Sequence, residues 1–347
     1  MDPKMTKPVL AEFLGTFTLV FVGACAVVVA GQFARRNPGR DAPPATAQRI
    51  RVTGADGRVT ELPQGSLRRL ELAEALFEDV PVLLYDCASL SAHLGVRIDG
   101  VLGFPLFRET VLTLDYPGSR VLLQPARKAS LDPGTIIPFD DARKTPLIPV
   151  KLGDRSLVAL IDSGSDAHFT LNPVGLSPQF AHGPTSGATV GTIAGDRVQT
   201  IGRLAESISI GDHVFPRPIV DLTDELSSIG GGMLKHFMVS FDQLHDRVTF
   251  YRGARDPIEV ESRRSAGLSF NKTPAYWRVA GVIPGSAAER AGIQPGDLVT
   301  RIDGESVARW DLPRYDQLVA TADEIAFAFL NGESENEKRV TVFELVP

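Results

Sequence analysis

Residues 157–172 read LVALIDSGSDAHFTLN, and the interpretation of the whole chain starts from this stretch. Its apolar run predicts a strand, because aliphatic and β-branched side chains favour extended backbone. Asp162 follows that run directly. Gly164 permits close approach of another backbone segment, and Ser163 and Ser165 can hydrogen-bond beside the carboxylate. The stretch therefore predicts a strand that presents one carboxylate at a loop, although Asp-Ser-Gly is also ordinary turn chemistry.

An internal repeat lies on both sides of this stretch. The segment LGFPLFR, which begins at Leu102, leads to Asp115 and an arginine five positions later. The segment IGGGMLK, which begins at Ile229, leads in the same way to Asp242 and its arginine. The two copies are 127 residues apart throughout. A repeat at a fixed offset indicates a duplicated unit, here a Gly turn, a short helix and a β-hairpin.

Together, the turn and the repeat resemble the aspartic proteases of the pepsin and retropepsin type. The resemblance implies a mainly β chain with a two-lobe β-barrel body, in which residues 49–130 form an incomplete first lobe and residues 131–258 the second. It implies an enzyme, an aspartic endopeptidase that uses no cofactor or metal, with Asp162 as the catalytic residue and a polypeptide as substrate. Three glycines lie where the family carries its flap hairpin, with a plain glycine-rich loop as the alternative: Gly187, Gly191 and Gly195.

The first lobe lacks its acidic motif. Counting back 127 residues from Asp162 gives Arg35, and no Asp-Thr/Ser-Gly triplet precedes residue 100. Asp86 is followed by Cys-Ala and is interpreted as an acid at a strand end. Hydrolysis of this type uses two carboxylates that share a proton. Three alternatives follow. The chain has lost its activity, or a homodimer brings two copies of Asp162 together, or another acid takes the place of the missing carboxylate. The alternative function is a non-catalytic peptide-binding protein.

The N-terminal segment predicts a membrane helix. Residues 9–31 are apolar apart from Glu12 and are long enough to cross a bilayer. We therefore interpret residues 1–31 as a hydrophobic helix, either an anchor or a signal, with a lipoprotein box at Cys25 or a buried soluble helix as alternatives. The segment resembles the first membrane helix of aquaporins, but one helix cannot enclose a pore. Residues 32–48 are predicted to be a linker. Attachment to a bacterial cell envelope is the expected localisation, either facing the periplasm or as a lipoprotein.

The C-terminal residues have a different pattern of turns. Residues 277–307 read WRVAGVIPGSAAERAGIQPGDLVTRIDGESV and resemble a PDZ domain of the kind associated with bacterial proteases, so residues 265–347 are predicted to be a PDZ domain. Such a domain binds an extended peptide as an added strand. The resemblance places the loop for the peptide's C-terminal carboxylate at Gly267, Leu268, Ser269 and Phe270, where serine replaces a frequent glycine. A buried strand without a ligand is the alternative.

The helix that lines such a groove is predicted at residues 311–320. Its Leu312 or Tyr315 is expected to shape a pocket for a side chain of the peptide.

The composition limits the classes of partner that the chain is expected to bind. The formal net charge is −6, so the chain has no basic footprint for nucleic acid. Two cysteines among 347 residues are too few for a disulfide framework, and no His/Cys spacing of the zinc type is present. The predicted partners are polypeptides or their C-termini, a second copy of the chain, and a membrane.

Overall fold

The computed structural model describes residues 9–12, 27–30, 48–53, 59–72, 74–95, 97–98, 100–129, 133–140, 145–192, 195–254 and 256–347. The chain divides into two compact units. The larger unit comprises Met1–Cys87, Ile98–Pro178 and Glu206–Glu259, and the smaller comprises Ala88–Arg97, Gln179–Ala205 and Val260–Pro347. With 54% strand and 12% helix, the chain is mainly β, which confirms the predicted class.

A six-stranded sheet joins the two copies of the repeat in the larger unit. Its strands are, in sheet order, β1 (Val9–Glu12), β8 (Arg120–Pro125), β7 (Thr110–Asp115), β19 (Met238–Asp242), β20 (Arg247–Tyr251) and β9 (Thr135–Pro138). Each copy has a short helix before its hairpin: a 3₁₀ helix at Phe104–Phe107 and the α-helix α2 at Gly231–Leu234, again 127 residues apart. A second 3₁₀ helix, Ala126–Lys128, follows β8.

The register of this sheet defines a local twofold axis. Strands β7 and β19 are antiparallel, and Thr113 pairs with Ser240, its own equivalent in the other copy. Their hydroxyl oxygens are 2.8 Å apart and buried. The two copies therefore pack against each other symmetrically, and we call residues 9–130 of the larger unit the first half and its residues from 133 onward the second half.

Each half also has a sheet of its own. The first half carries β3 (Arg49–Thr53), β4 (Val59–Leu72), β5 (Ala75–Tyr85), β2 (Val27–Ala30) and β6 (Gly100–Leu102), in that order. The second half carries β17 (Ile219–Leu222), β12 (Phe169–Leu171), β18 (Ser228–Ile229), β11 (Arg155–Ile161), β10 (Leu147–Leu152), β15 (Ile208–Ile210) and β16 (His213–Phe215). The strand orders of the described residues are open, so the predicted closed barrels are not found among them.

The N-terminal segment differs from the predicted helix where it is described. Residues 9–12 form β1 beside β8, and residues 27–30 form β2 between β5 and β6. The helix prediction is wrong for these two segments, because apolar and β-branched residues also favour extended backbone that pairs with a neighbouring strand. The residues between them, and the predicted linker apart from Gln48, lie outside the described residues. None of the described helices is long and apolar enough to cross a membrane.

The smaller unit contains the C-terminal domain, one helix that lies before residue 100 in the sequence, and one long hairpin. The helix is α1 (Ala88–Leu94), and the hairpin consists of β13 (Phe180–Thr192) and β14 (Gly195–Leu204). The C-terminal sheet runs β22 (Leu268–Lys272), β23 (Trp277–Val282), β24 (Leu298–Ile302), β26 (Glu324–Asn331) and β27 (Ser334–Thr341), with β25 (Glu305–Ser306) beside β24. Strands β21 (Arg263–Ser265) and β28 (Phe343–Val346) pair separately. The remaining helices are α3 (Ala287–Arg290), the 3₁₀ helix Val307–Arg309 and α4 (Leu312–Thr321).

These units cut across the predicted domain boundaries. Residues 88–97 and 179–205 fall within the predicted lobes 49–130 and 131–258, yet they pack with the C-terminal domain. Arg203 of the hairpin donates hydrogen bonds to the backbone carbonyls of Val260 and Glu261. The smaller unit accordingly includes residues from Val260 onward, whereas the predicted PDZ domain begins at residue 265. Contacts between residues so distant in sequence leave no local signal, so the sequence did not indicate this division.

Candidate functional site

Asp162 lies at the end of β11, as the sequence predicts. The Asp162 N–H donates to the carbonyl of Ile229 at 2.9 Å, which continues the parallel pairing of β11 and β18 into the turn. The Gly164 N–H in turn donates to the carboxylate Oδ1 of Asp162 at 3.0 Å. The strand therefore delivers the carboxylate onto a turn whose own backbone holds one of its oxygens.

A run of three glycines packs against this turn. The N–H of Gly231 donates to the carbonyl of Ser165 at 2.6 Å, and the N–H of Gly230 donates to that of His168 at 3.0 Å. A Cβ atom at Gly230 would lie 2.2 Å from the carbonyl oxygen of Ala167, which no side chain can tolerate. The Gly turn of the repeat thus forms the floor of the Asp162 turn, and glycine is required there because two backbone segments touch.

The two serines have different positions in the turn. The Ser165 hydroxyl accepts from the N–H of Ala167 at 3.2 Å, so it stabilises the turn rather than the carboxylate. Ser163 is half-buried beside Asp162. The backbone N–H of Gly164 contributes to the predicted support of the carboxylate.

The surroundings of Asp162 favour its neutral form. Burial raises the pKa of Asp162 to about 6, and the hydrogen bond from Gly164 opposes this shift without cancelling it. The carboxyl group therefore carries a proton in mildly acidic solution and is a carboxylate at neutral pH. A carboxyl with such a pKa can accept or donate a proton near neutrality, which an ordinary surface aspartate cannot do efficiently.

Tyr116 is a polar neighbour that the sequence did not reveal. Its hydroxyl is buried and has no hydrogen-bond partner within the described part of the chain. Burial and the negative charge of Asp162 raise the pKa of Tyr116, so its phenol remains a neutral donor. Tyr116 follows Asp115 in the first copy, and its equivalent in the second copy is Gln243, which donates across the twofold to the carbonyl of Phe104 at 2.7 Å. The duplication could have pointed to this position, since both residues directly follow the repeated aspartate.

The sequence of the first half has no Asp-Ser-Gly triplet at the position equivalent to Asp162. By register, Val27 of β2 corresponds to Phe169 of β12, because each pairs with the residue preceding a repeated Gly turn. Asp162 stands seven residues before Phe169, and the same count back from Val27 gives Val20, an apolar residue. The sequence interpretation placed this position at Arg35; the pairing of β2 corrects it.

The connection that leads to the central strand also differs in length between the two halves. Strands β9 and β12 of the second half are separated by residues 139–168, which include the hairpin β10–β11 and the Asp162 turn. The equivalent strands of the first half, β1 and β2, are separated only by residues 13–26. Asp86 is exposed after β5 and corresponds by register to Asp224, which follows β17, so it is a strand-end acid as interpreted from the sequence.

The three predicted flap glycines lie in the hairpin β13–β14. Gly187 is buried, and a Cβ atom there would meet the side chain of Ile201 at 3.0 Å. Gly191 and Gly195 are close to the hairpin's end, paired with Asp196 and Thr192 respectively. A hairpin is therefore present, and its described contacts within the smaller unit are with α1 and the C-terminal domain.

The loop predicted to hold a peptide carboxylate has a defined backbone. Gly267 adopts a left-handed conformation with φ of +77°, and a Cβ atom there would lie 2.5 Å from the side chain of Ser286. Its N–H donates to the Ser265 hydroxyl at 2.9 Å, and its carbonyl accepts from Ile283 at 2.8 Å. Glycine is thus needed at position 267 both for its conformation and for the space it leaves.

The residues after Gly267 open β22, which is the end strand of its sheet. Leu268 and Phe270 point into the core of the C-terminal domain, whereas the hydroxyl of Ser269 accepts from the Thr189 N–H of the hairpin at 2.9 Å. Helix α1 also contacts β22 within the smaller unit. A strand at the end of a sheet is the position at which an extended peptide can add.

Helix α4, which the sequence predicts beside the groove, begins at Leu312 with Asp311 as its N-cap. Tyr315, proposed from the sequence as a pocket residue, is buried instead, with its ring 5.6 Å from that of Phe270 and 5.5 Å from that of Trp277. That assignment is wrong for Tyr315, since an aromatic side chain on the inner face of a short amphipathic helix is drawn into the core. In the described ranges, no group of three His, Cys, Asp or Glu residues is arranged to hold a metal ion.

Comparison with known proteins gives a family for the C-terminal domain. The family described as PDZ domain matches residues 278–326. A solved structure, the crystal structure of a PDZ domain protein from Parabacteroides distasonis ATCC 8503 at 2.50 Å resolution, is 22% identical, with 24% of this chain and 21% of that chain covered and a TM-score of 0.22. The chain thus spans about a fifth of that structure's length. A search of curated proteins found no match. On the family match, residues 278–326 are a PDZ domain.

Proposed function

We propose that this chain binds polypeptides through its PDZ domain and carries, in its larger unit, the body of an aspartic endopeptidase with one of two carboxylates. The observation that carries the binding function is the end strand β22, which begins at the Gly267 loop inside a domain of a peptide-binding family. The ligand class is an extended polypeptide with a free C-terminus.

The peptidase body is supported by three features of the larger unit. The two copies of the repeat meet at a twofold axis at Thr113 and Ser240. A strand, an Asp-Ser-Gly turn and a floor of glycines present Asp162. Burial holds the pKa of that residue at about 6, as acid–base catalysis near neutrality requires.

Hydrolysis of a peptide bond by this chemistry needs more than Asp162. One carboxylate removes a proton from the attacking water, and a protonated partner acid hydrogen-bonds to the carbonyl oxygen of the scissile bond. Val20, the residue at the equivalent count in the first half, can do neither. A single Asp162 therefore supplies a base without the acid that polarises the carbonyl, so the non-catalytic binding function is favoured for the isolated chain.

A second candidate function is endopeptidase activity in which another copy of the chain supplies the missing acid. The retained Asp162 turn and its raised pKa favour this candidate. The pairing of β7 with β19 speaks against the simplest form of it, because the twofold that would join two copies is already occupied by the two halves of one chain.

One experiment with the full chain tests both functions. Casein hydrolysis is followed from pH 4 to 8 over a range of chain concentrations, with Asp162→Asn as the matched variant. Binding of fluorescein-labelled octapeptides with free C-termini is followed by anisotropy in the same samples. Peptide binding without Asp162-dependent hydrolysis supports the binding function. Hydrolysis that is lost in Asp162→Asn and rises faster than linearly with concentration supports the dimeric peptidase, whereas the absence of any peptide binding overturns the first proposal.

A further inference from the structure

The hairpin β13–β14 is fixed at its base to the polypeptide that frames the PDZ domain. The Arg203 guanidinium, near the end of β14, is buried and donates to the carbonyls of Val260 and Glu261, both at 3.0 Å, and to that of Pro347. A buried guanidinium is tolerated only where several acceptors satisfy it. The base of the hairpin is therefore a firm attachment.

A second attachment lies further along β13. The Thr189 N–H donates to the Ser269 hydroxyl oxygen at 2.9 Å. The side chain of Thr189 occupies the space that Gly281 leaves, since a Cβ atom built on Gly281 would lie 1.9 Å from Thr189 Oγ1. Ser269 and Gly281 are cross-strand partners at the irregular point of the β22–β23 ladder. Thr189 therefore contacts both members of this cross-strand pair in the PDZ sheet.

Ser269 is also part of the loop that the sequence assigns to the peptide carboxylate. Its hydroxyl oxygen accepts from Thr189, and its own hydrogen remains available for donation, since a hydroxyl is both donor and acceptor. A ligand carboxylate at the loop would complete a chain from the Thr189 N–H through the Ser269 O–H to the carboxylate oxygen. Hydrogen bonds in such a chain polarise one another, so each bond is strengthened by the next.

We propose that peptide binding at the PDZ loop and the seating of the hairpin β13–β14 are coupled through the Ser269 hydroxyl. A peptide with a free C-terminal carboxylate tightens the contact between Thr189 and Ser269, and a seated hairpin raises the affinity for that peptide by the same factor, because linkage is reciprocal. The coupling rests on the proposed peptide binding and adds a regulated element to it. The hairpin thereby reports whether the PDZ domain is occupied.

The test measures hydrogen exchange of the Thr189 amide in the full chain. The probe is a pool of octapeptides ending in an apolar residue with a free carboxylate, compared with the same pool amidated at its C-terminus. We expect the free-carboxylate pool to slow exchange at Thr189 about 5-fold, as one strengthened hydrogen bond allows, and the amidated pool to slow it less.

Two variants assign the effect to Ser269. Ser269→Gly keeps the backbone donors of the loop and removes the hydroxyl. We therefore expect the free-carboxylate pool to bind about 5-fold more weakly, and the protection of Thr189 to disappear even when the pool is saturating. Ser334→Gly, at the exposed first residue of β27, is the matched control and should behave like the natural chain. Gly281→Ala displaces Thr189 and should weaken binding of the free-carboxylate pool about 5-fold by the same linkage.

Each outcome decides a separate claim. If the pool binds and Thr189 exchanges at an unchanged rate, the coupling is wrong and the binding function stands. If Ser269→Gly keeps the full protection, Ser269 is not the link. If neither pool binds, the proposed peptide binding fails and the coupling fails with it.

Discussion

The two halves of the larger unit contain the same repeat, but the Asp-Ser-Gly triplet occurs in the sequence of the second half alone. Both have a Gly turn, a short helix and a hairpin at an offset of 127 residues, and both contribute to one sheet. They differ in the connection before the central strand, which is residues 139–168 in the second half and residues 13–26 in the first. The comparison shows that the symmetric sheet and the acidic turn are separable parts of this architecture.

The largest expected effect concerns the floor of the acidic turn. In Gly230→Ala, the new Cβ atom would lie 2.2 Å from the carbonyl oxygen of Ala167, so the Asp162 turn has to move. We expect a loss of more than about 3 kcal/mol in the free energy of unfolding, measured by urea denaturation, because overpacking against backbone cannot relax. Gly253→Ala is the control, since nothing lies within 4 Å of its Cβ position.

The equivalent change in the first half tests whether the two Gly turns are packed alike. In the same urea titrations, Gly103→Ala should cost less unfolding free energy than Gly230→Ala, because residues 13–26 contain no Asp-Ser-Gly triplet. An equal cost for the two substitutions would mean that the first half has a turn as tight as the second.

The next effect follows from the raised pKa of Asp162. Between its ordinary pKa near 4 and about 6, the folded chain binds more protons than the unfolded chain, so stability falls as the pH rises through this window. Asp162→Asn has no such penalty and keeps an acceptor for Gly164. We expect the variant to be more stable than the natural chain by roughly 1–3 kcal/mol at pH 7.5 and equal to it at pH 4. Urea titrations at both pH values measure the difference; a stability gap that does not change with pH would show that Asp162 is not desolvated.

The hydroxyl pair on the twofold axis should have a smaller effect. Thr113→Val leaves the Ser240 hydroxyl buried without its partner and should cost about 1–2 kcal/mol in unfolding free energy. Adding Ser240→Ala removes the unpaired group, so the double variant should be less destabilised than the sum of the two single variants. Strict additivity in this double-mutant cycle would contradict direct contact of the two halves at the axis.

The smallest effect distinguishes the residues that follow the repeated aspartates. Tyr116→Phe removes a hydroxyl that has no partner among the described residues, so stability should change by less than about 0.5 kcal/mol or rise slightly. Gln243→Leu removes the bond to the carbonyl of Phe104 and should cost about 1 kcal/mol. If Tyr116→Phe loses much unfolding free energy in the same urea titrations, the hydroxyl has a hydrogen-bond partner after all. Asp162 would then be the first candidate for that partner.

The sequence was most informative where signals were local or repeated. The apolar run before Asp162, the triplet after it and the 127-residue offset predicted the strand, the turn and the paired hairpins. The PDZ domain was evident from spaced turn residues such as Gly285 and Gly304, both of which have left-handed backbone. In contrast, the apolar N-terminal run predicts one helix, because hydrophobicity alone does not distinguish a membrane helix from paired strands.

Residue order and spacing were enough to identify the duplicated unit, the single Asp-Ser-Gly triplet and the C-terminal domain. Three further facts come from the folded chain: Thr113 meets Ser240 at the twofold, Val27 of β2 corresponds by register to Phe169 of β12, and the hairpin β13–β14 contacts Ser269. These are pairings between residues tens to hundreds of positions apart. Their energy comes from burial and hydrogen bonds that exist only once the chain has folded, so no local pattern in the sequence specifies them.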